Sequence, residues 1–133
     1  MNELEKSQIN NLTSALLEMP NHVREMPVDH YQIKGVYCRS LFIPAGTVAV
    51  GKIHNSEHIA VLAQGTMRIF DDEFTAPYVC VSPAGTKRAV YAVTDCTIIN
   101  VIRTDLTDLT EIEAEAVSST FEEFEEKKLL WHS

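Results

Sequence analysis

Short runs rich in β-branched and apolar residues recur along the middle of the chain, and turn-forming residues such as the Pro-Ala-Gly segments at 44–46 and 83–85 separate them. Runs of this length, regularly spaced with turns between them, are typical of antiparallel sandwiches and small barrels. The sequence therefore predicts an all-β core. Its predicted strands span residues 35–43, 48–54, 58–63, 66–70, 78–81, 88–93 and 97–102.

The tetrapeptide Pro-Ala-Gly-Thr occurs twice, at 44–47 and at 83–86. This repeat either marks two equivalent corners of a double Greek key or arises by chance in so short a segment. The sequence leaves both interpretations open.

The two ends of the chain predict helices. Apolar residues at helical spacing predict a helix over 3–18, and an extended arm, of a kind that often exchanges between subunits, follows over 21–29. Near the C-terminus, Thr110 with Glu113 fits a capping box, and a second helix is predicted over 120–131. The predicted organisation is an N-terminal helix and arm, a β-barrel, and acidic helices that pack on the barrel or on a partner subunit, over 1–30, 31–104 and 105–133.

Composition bounds the function. The 133 residues suit one domain, and the formal net charge of -8 disfavours binding to nucleic acid or to an anionic membrane. Cys38, Cys80 and Cys96 are an odd, widely spaced set, which predicts reduced thiols in a cytoplasmic protein. The N-terminus lacks the apolar run of a signal peptide and the longest apolar runs are strand-sized, so we expect neither secretion nor membrane insertion.

Two histidines, His54 and His58, lie at the predicted turn between two strands. Strand alternation groups them with Lys52 and, from a facing strand, with Arg88. Two imidazoles and two cations in a mostly apolar barrel make a cationic cavity suited to small anions such as carboxylates or phosphates. The residues predicted to face this cavity are Val48, Val50, Lys52, His54, His58, Ala60, Leu62, Arg88, Val90 and Ala92.

These residues also allow other interpretations. The string from His54 to His58 matches the inverted zinc-peptidase signature, but that motif requires a helix, and the glycines and β-branched residues around it favour strands. Glu57 is a third ligand, an acidic partner that orients a histidine, or a solvated turn residue. The histidines could equally be hydrogen-bonded structural residues. Candidates for the pocket wall, with plain packing as the alternative, are His30, Tyr37, Arg39 and Tyr91.

Two spaced motifs carry a family resemblance. Gly46, His54 and Gly65 hold positions of a first motif, with Lys52 in its first histidine place and His58 in its acidic place. In a second motif Pro83 and Gly85 match, whereas its glycine, histidine and asparagine places hold Pro77, Arg88 and Ala92. With these residues, the segment 35–103 resembles the small single-domain cupins, RmlC-like jelly-roll barrels, and is similar to short uncharacterised cupin-like proteins of bacteria and their phages.

The resemblance implies a double-stranded β-helix with helices at both ends, assembled as a homodimer, and a ligand in its barrel. It implies an enzyme of lyase, isomerase or oxygenase type, in which His54 and His58, with Glu57 or water, hold Mn, Fe, Ni or Zn while Lys52 and Arg88 hold the substrate. Three alternatives remain: metal-free acid/base chemistry, a binding or sensing module without turnover, and a structural barrel with a filled core.

Overall fold

The computed structural model describes residues 1–17 and 27–131. The predicted arm at 21–29 lies outside this part apart from its last residues. An N-terminal helix and a C-terminal pair of helices flank the strands, which confirms the predicted fold class. The helices are α1 (Glu3–Leu17), α2 (Leu109–Ala116) and α3 (Phe121–Trp131). The strands are β1 (Val28–Ile33), β2 (Val36–Ile43), β3 (Val48–Val50), β4 (Ile53–His54), β5 (His58–Gln64), β6 (Thr66–Ile69), β7 (Asp72–Thr75), β8 (Tyr78–Ser82), β9 (Ala89–Ala92), β10 (Cys96–Arg103) and β11 (Val117–Ser118).

Two larger antiparallel sheets face each other. One is five-stranded, in the order β1-β2-β10-β5-β8, and the other is four-stranded, in the order β3-β9-β6-β7. A short third sheet pairs β11 with β4. Buried side chains from both large sheets meet between them, which makes the interior of the barrel the main core: Ile43, Ala49, Leu62, Met67, Val90, Ala92 and Cys96.

Three departures from the predicted strands have local causes. The edge strand β1 was not predicted because Asp29-His30-Tyr31-Gln32 is polar and almost wholly exposed. Strand β7 was predicted as a turn because it begins with acidic residues. In the structure, a two-residue turn in which Phe70 has a φ of 53° connects β7 to β6. The run 48–54 is split into β3 and β4 at Gly51 and Lys52.

The C-terminal helices pack on the barrel of their own chain. Ile112 and Ala116 of α2 contact Tyr37 and Ile102 of the five-stranded sheet, and Phe121 and Phe124 of α3 pack on Ile53; both contacts bury apolar side chains. In the described ranges, no helix is long and apolar enough to cross a membrane.

The helix caps differ in part from the prediction. Asp108, not Thr110, caps α2, since its carboxylate accepts from the backbone N–H of Glu111 at 3.0 Å. The cap moved because Asp108 and Glu111 form the same spacing two residues earlier. At α3 the Thr120 hydroxyl accepts from the Glu123 N–H at 3.1 Å, so the predicted start of that helix agrees with the structure.

The surface of the five-stranded sheet that faces away from the barrel is apolar, and we call it the outer face. Register places Tyr31, Cys38, Val101, Ile59 and Val81 in one row across all its strands. The next row holds Asp29, Ser40, Ile99, Val61 and Val79. Val79 and Val81 are about three-fifths exposed, at 61% and 62%.

Candidate functional site

Polar side chains gather inside the barrel at one end of the five-stranded sheet, and we call them the polar layer: Arg39, His54, His58, Ser82, Arg88 and Asn100. Arg39 pairs with Asn100 between β2 and β10, and His58 pairs with Ser82 between β5 and β8. Alternation along each strand turns these residues inward together with the core residues two positions away. The layer therefore follows from period-two patterning combined with strand register.

The barrel encloses a cavity of about 240 Å³. His54, Arg88 and Asn100 of the polar layer line it, and Gly51 and Lys52 line it at the exposed connection between β3 and β4. The remaining lining is mostly apolar and comes from both sheets: Leu41, Ile43, Ala49, Ala60, Leu62, Met67, Ile69, Phe70, Phe74, Tyr78, Val90 and Ile98, with Asp72, Cys80 and Thr86.

The two histidines form a stacked pair, with ring centroids 4.1 Å apart and an interplanar angle of 27°. His58 uses both ring nitrogens: Nδ1 lies 3.2 Å from the Ser56 carbonyl oxygen, and Nε2 lies 3.0 Å from Oδ1 of Asn100. Burial lowers the pKa of His54 to about 3, with His58, Arg39 and Arg88 acting in the same direction. Burial, and then Arg88, also lower the pKa of His58 against these two hydrogen bonds. Both rings are therefore neutral at neutral pH, so His58 carries one ring proton and donates to only one of these two oxygens.

The two arginines of the polar layer differ in their partners. Arg88 donates from Nη1 to the Ser82 hydroxyl at 2.7 Å. In the described part of the chain, two buried side-chain nitrogens have no hydrogen-bond partner, and they are Arg39 Nη1 and His54 Nδ1. Within the same residues no carboxylate forms an ion pair with Arg39 or Arg88. Uncompensated charge at a buried position is costly, so this layer has excess positive charge and an unmet capacity for hydrogen bonds.

A second polar group borders the layer, one row further along the sheet. The Tyr37 hydroxyl lies 2.6 Å from His30 Nδ1, and His30 Nε2 lies 3.6 Å from a Glu113 carboxylate oxygen. Burial raises the pKa of Tyr37, Arg39 opposes that shift, and Glu113 adds to it. A protonated Tyr37 can donate to His30 when the ring proton lies on Nε2, facing Glu113. Tyr37 is fully buried and packs with α2, so this group connects the layer to the C-terminal helix.

The predicted site residues fall into separate places. His54, Lys52 and Arg88 line one cavity, and His58 stacks on His54 immediately beside it. Glu57 lies exposed at the turn before β5, away from the cavity lining. Tyr91 is 41% exposed because its neighbour Val90 takes the inward position. The assignment of Tyr91 to the pocket wall is therefore wrong.

The predicted alternation fails in β3. Val48 is exposed, and Ala49 is the residue that faces the cavity. The break at Gly51 and Lys52 changes the alternation of side chains between β3 and β4. Counting backward from His54 in steps of two therefore assigns the residues of β3 to the wrong face of the sheet.

Sequence reasoning missed Asn100 and Ser82. Asn100 lies in β10 among Ile98, Ile99 and Val101, and was treated as part of an apolar run. A single amide within such a run is a usable signal, because a polar side chain on a central strand is retained only with a partner. Ser82 offered no comparable signal at the end of its strand.

The donor set of the layer does not fit a divalent metal ion. Among residues 1–17 and 27–131, no group of three or more His, Cys, Asp or Glu side chains is placed to hold one. His58 has both nitrogens engaged, Glu57 is remote, and the nearby charges are the guanidinium groups of Arg39 and Arg88. Metal sites need several converging lone pairs and tolerate adjacent cations poorly.

No protein-family model and no curated protein matches the sequence. Solved structures match the fold. An RmlC-like cupin protein from Ralstonia eutropha has a TM-score of 0.50 at 20% identity, over 64% of this chain and 60% of its own. An RmlC-like cupin family protein with a double-stranded β-helix fold from Methanocaldococcus jannaschii has a TM-score of 0.47 at 14% identity, over 66% and 88%. An acetylacetone dioxygenase from Acinetobacter johnsonii has a TM-score of 0.47 at 14% identity, over 57% and 58%. The match covers less than two thirds of the Ralstonia protein.

Proposed function

The chain has the cupin fold, and from this premise we propose that its barrel binds a small anionic molecule at the polar layer. The observation that carries the proposal is Arg88, a guanidinium that lines the cavity beside His54 and Asn100 and forms no ion pair within the described residues. An anion supplies both the acceptor atoms and the negative charge that these groups lack, and charge-assisted hydrogen bonds of this kind are stronger than neutral ones.

The chemistry of the layer supports binding better than turnover. A general base works best when its pKa lies near the working pH, whereas the pKa of His54 is about 3. His58 is committed to Ser56 and Asn100 through both nitrogens. In this proposal Arg88 and the nearby Arg39 provide charge and His54 provides a neutral donor, so the protein captures or senses its ligand.

Isothermal titration calorimetry with simple anions, acetate and phosphate included, tests the proposal. We expect binding by the wild type, and loss of at least about tenfold in affinity in Arg88→Gln, because one charge-assisted bond is removed. The matched control is Arg68→Gln, since Arg68 lies on the exposed surface paired with Glu73. Equal affinity in Arg88→Gln and wild type would contradict the proposal.

The metal-dependent enzyme, a lyase, isomerase or oxygenase with Mn, Fe, Ni or Zn on His54 and His58, is the competing hypothesis. Elemental analysis of untagged wild type and of a His54→Ala, His58→Ala double variant separates the two. We expect no stoichiometric metal in either protein, even after incubation with each ion, because the donor set does not fit. Stoichiometric metal that disappears in the double variant would instead establish the metal site.

We also propose that the chain is a homodimer that buries the outer face. Five strands about 4.8 Å apart and about five residues long present roughly 400 Å² of sheet, which is within the range of the largest apolar patches on monomers, and such patches often mark interaction sites. A second copy is the partner that best fits, since an identical sheet face is flat and apolar in the same way and a two-fold axis brings like faces together.

Sedimentation equilibrium tests the homodimer. The wild type should sediment as a dimer, and Val79→Lys with Val81→Lys should convert it to a monomer because two charges would be buried. Tyr91→Lys, on the four-stranded sheet, is the control and should leave the mass unchanged. A wild type that stays monomeric at concentrations well above micromolar would refute the proposal.

A further inference from the structure

Apart from Lys52 and Asp72 at exposed positions, the charged and amide side chains that line the cavity lie at one end. Inward residues of the five-stranded sheet form successive rows: Arg39 pairs with Asn100, and the next row joins Leu41 to Ile98 and Ile98 to Leu62. Beyond that row the cavity is lined by apolar core residues such as Ile43 and Met67. We propose that the ligand is a monocarboxylate with a short apolar tail, bound with its carboxylate at the polar layer and its tail along the row of Leu41, Ile98 and Leu62. This inference rests on the proposed function.

The charge at the polar end of the cavity favours a carboxylate. Arg88 is the guanidinium that lines the cavity there, beside His54 and Asn100, and a carboxylate brings one negative charge and two acceptor oxygens. Nη1 of Arg88 already donates to Ser82, so Arg88 contributes its charge and not a free donor at that atom. A phosphate dianion would bring more acceptor oxygens and more charge than these donors match.

The apolar row excludes a second charge on the same ligand. Leu41, Ile98 and Leu62 line the cavity without a polar atom on their side chains, and an ionised group buried among them would lose its hydration without compensation. The titratable side chains that line the rest of the cavity include Lys52 and Asp72 at exposed positions. A dicarboxylate long enough to span the cavity would place its second carboxylate in the apolar part.

The volume bounds the tail. A cavity of about 240 Å³ has room for about eight water-sized groups at roughly 30 Å³ each. Hexanoate has about this many non-hydrogen atoms. Each methylene transferred from water to the apolar row should strengthen binding about fourfold, until the cavity is full.

Calorimetric titration with acetate, butyrate, hexanoate, octanoate and the dicarboxylate adipate tests this inference. We expect affinity to rise about fourfold per methylene from acetate to hexanoate, to stop rising at octanoate, and to be at least tenfold weaker for adipate than for hexanoate. Equal affinities for acetate and hexanoate, or adipate binding as tightly as hexanoate, would overturn the tail assignment while leaving anion binding intact. Failure of every carboxylate and of phosphate to bind would overturn the proposed function itself.

Two variants locate the tail and the head. Leu41→Phe fills part of the apolar row, so it should weaken hexanoate at least tenfold and leave acetate unchanged. Leu4→Phe, the same substitution at an exposed position of α1, is the matched control and should bind both ligands as the wild type does. Hexanol that binds as tightly as hexanoate, in wild type and Arg88→Gln alike, would show that the polar layer does not hold the carboxylate.

Discussion

The inner and outer faces of the five-stranded sheet reverse the usual distribution of polar and apolar residues. Antiparallel sheets that cover a core usually direct apolar side chains inward and polar ones to water. Here the inner face carries Arg39, His58 and Asn100 among its apolar residues, while the outer face exposes Ile59 and Val81. Both departures cost stability in an isolated chain, since buried charge loses hydration and exposed apolar surface orders water.

The two faces of the sheet therefore indicate two different kinds of binding partner. A buried polar group without a partner indicates a ligand that satisfies it, and a continuous exposed apolar row indicates a surface that another surface covers. Under the two proposals, one sheet would carry two interaction sites back to back, with a small molecule inside and a second copy outside.

The largest test of the comparison removes apolar side chains from each face. Leu62 lies on the inner face and is 2% exposed. Leu62→Ala should lower the free energy of unfolding by about 2–5 kcal/mol, because the substitution leaves a cavity. Val81→Ala on the outer face should cost less than about 0.5 kcal/mol in the monomer. Urea unfolding in the background of Val79→Lys, once sedimentation has shown that this single variant is a monomer, measures both without the dimer. Comparable losses would mean that the outer face is not free surface.

The next test removes a polar group from the inner face. Asn100→Leu leaves His58 Nε2 without its partner at 3.0 Å and should destabilise the fold by about 1–3 kcal/mol, even though leucine is apolar. Ile99→Leu, on the outer face of the same strand, should cost less than about 1.5 kcal/mol. If Asn100→Leu were stabilising, the hydrogen bond would have no structural value and the amide would serve the ligand alone.

The pH dependence of stability sharpens the contrast, because the stacked histidines belong to the inner face. The folded pKa of His54, about 3, lies below its ordinary 6.5, so the unfolded chain binds more protons between these values. Stability should be complete above pH 6.5 and should fall as pH decreases, by up to about 1.4 kcal/mol per pH unit for one proton. His54→Gln should flatten this slope between pH 6.5 and 5 in chemical denaturation. An unchanged slope would show that His54 is not the group responsible.

The smallest effect is expected at Lys52, which lines the cavity but is exposed. Lys52→Ala should weaken hexanoate by less than about fivefold, because solvent screens an exposed charge. Its contribution should vanish at high salt, whereas the loss in Arg88→Gln should persist. A loss at Lys52 as large as that at Arg88 would mean that the carboxylate binds at the exposed connection instead of the polar layer.

The sequence was sufficient for the architecture because turn residues separate nearly all the strands. It failed at β1 and β7, whose polar residues suit exposed edge strands and therefore lack an apolar pattern. It brought His54, His58 and Arg88 to one place because each lies near a strand end beside a recognisable turn. It misplaced Val48 because the break at Gly51 and Lys52 shifts the alternation of residues counted across it, and it misplaced Tyr91 because the neighbouring Val90 takes the inward position.

The remaining features of the site depend on relations that a sequence does not display. The isolation of Arg39 Nη1 from any partner is a property of its neighbours, and the cavity volume is a property of packing between two sheets. Asn100 was the one missed residue with a signal of its own, as a lone amide within an apolar strand.

Because both faces of the sheet contain many apolar residues, hydrophobicity alone specifies the strand register weakly. A strand that slips by one residue exchanges its two faces, and ordinary sheets resist this because one face is polar. In β10, a slip would exchange Ile98 with Ile99, which hydrophobicity does not distinguish. What does distinguish them is the bond from Asn100 to His58, which forms only when β10 and β5 align as they do here. We therefore expect the polar layer to specify the register of β10 during folding. Loss of the layer should yield misaligned, aggregation-prone chains.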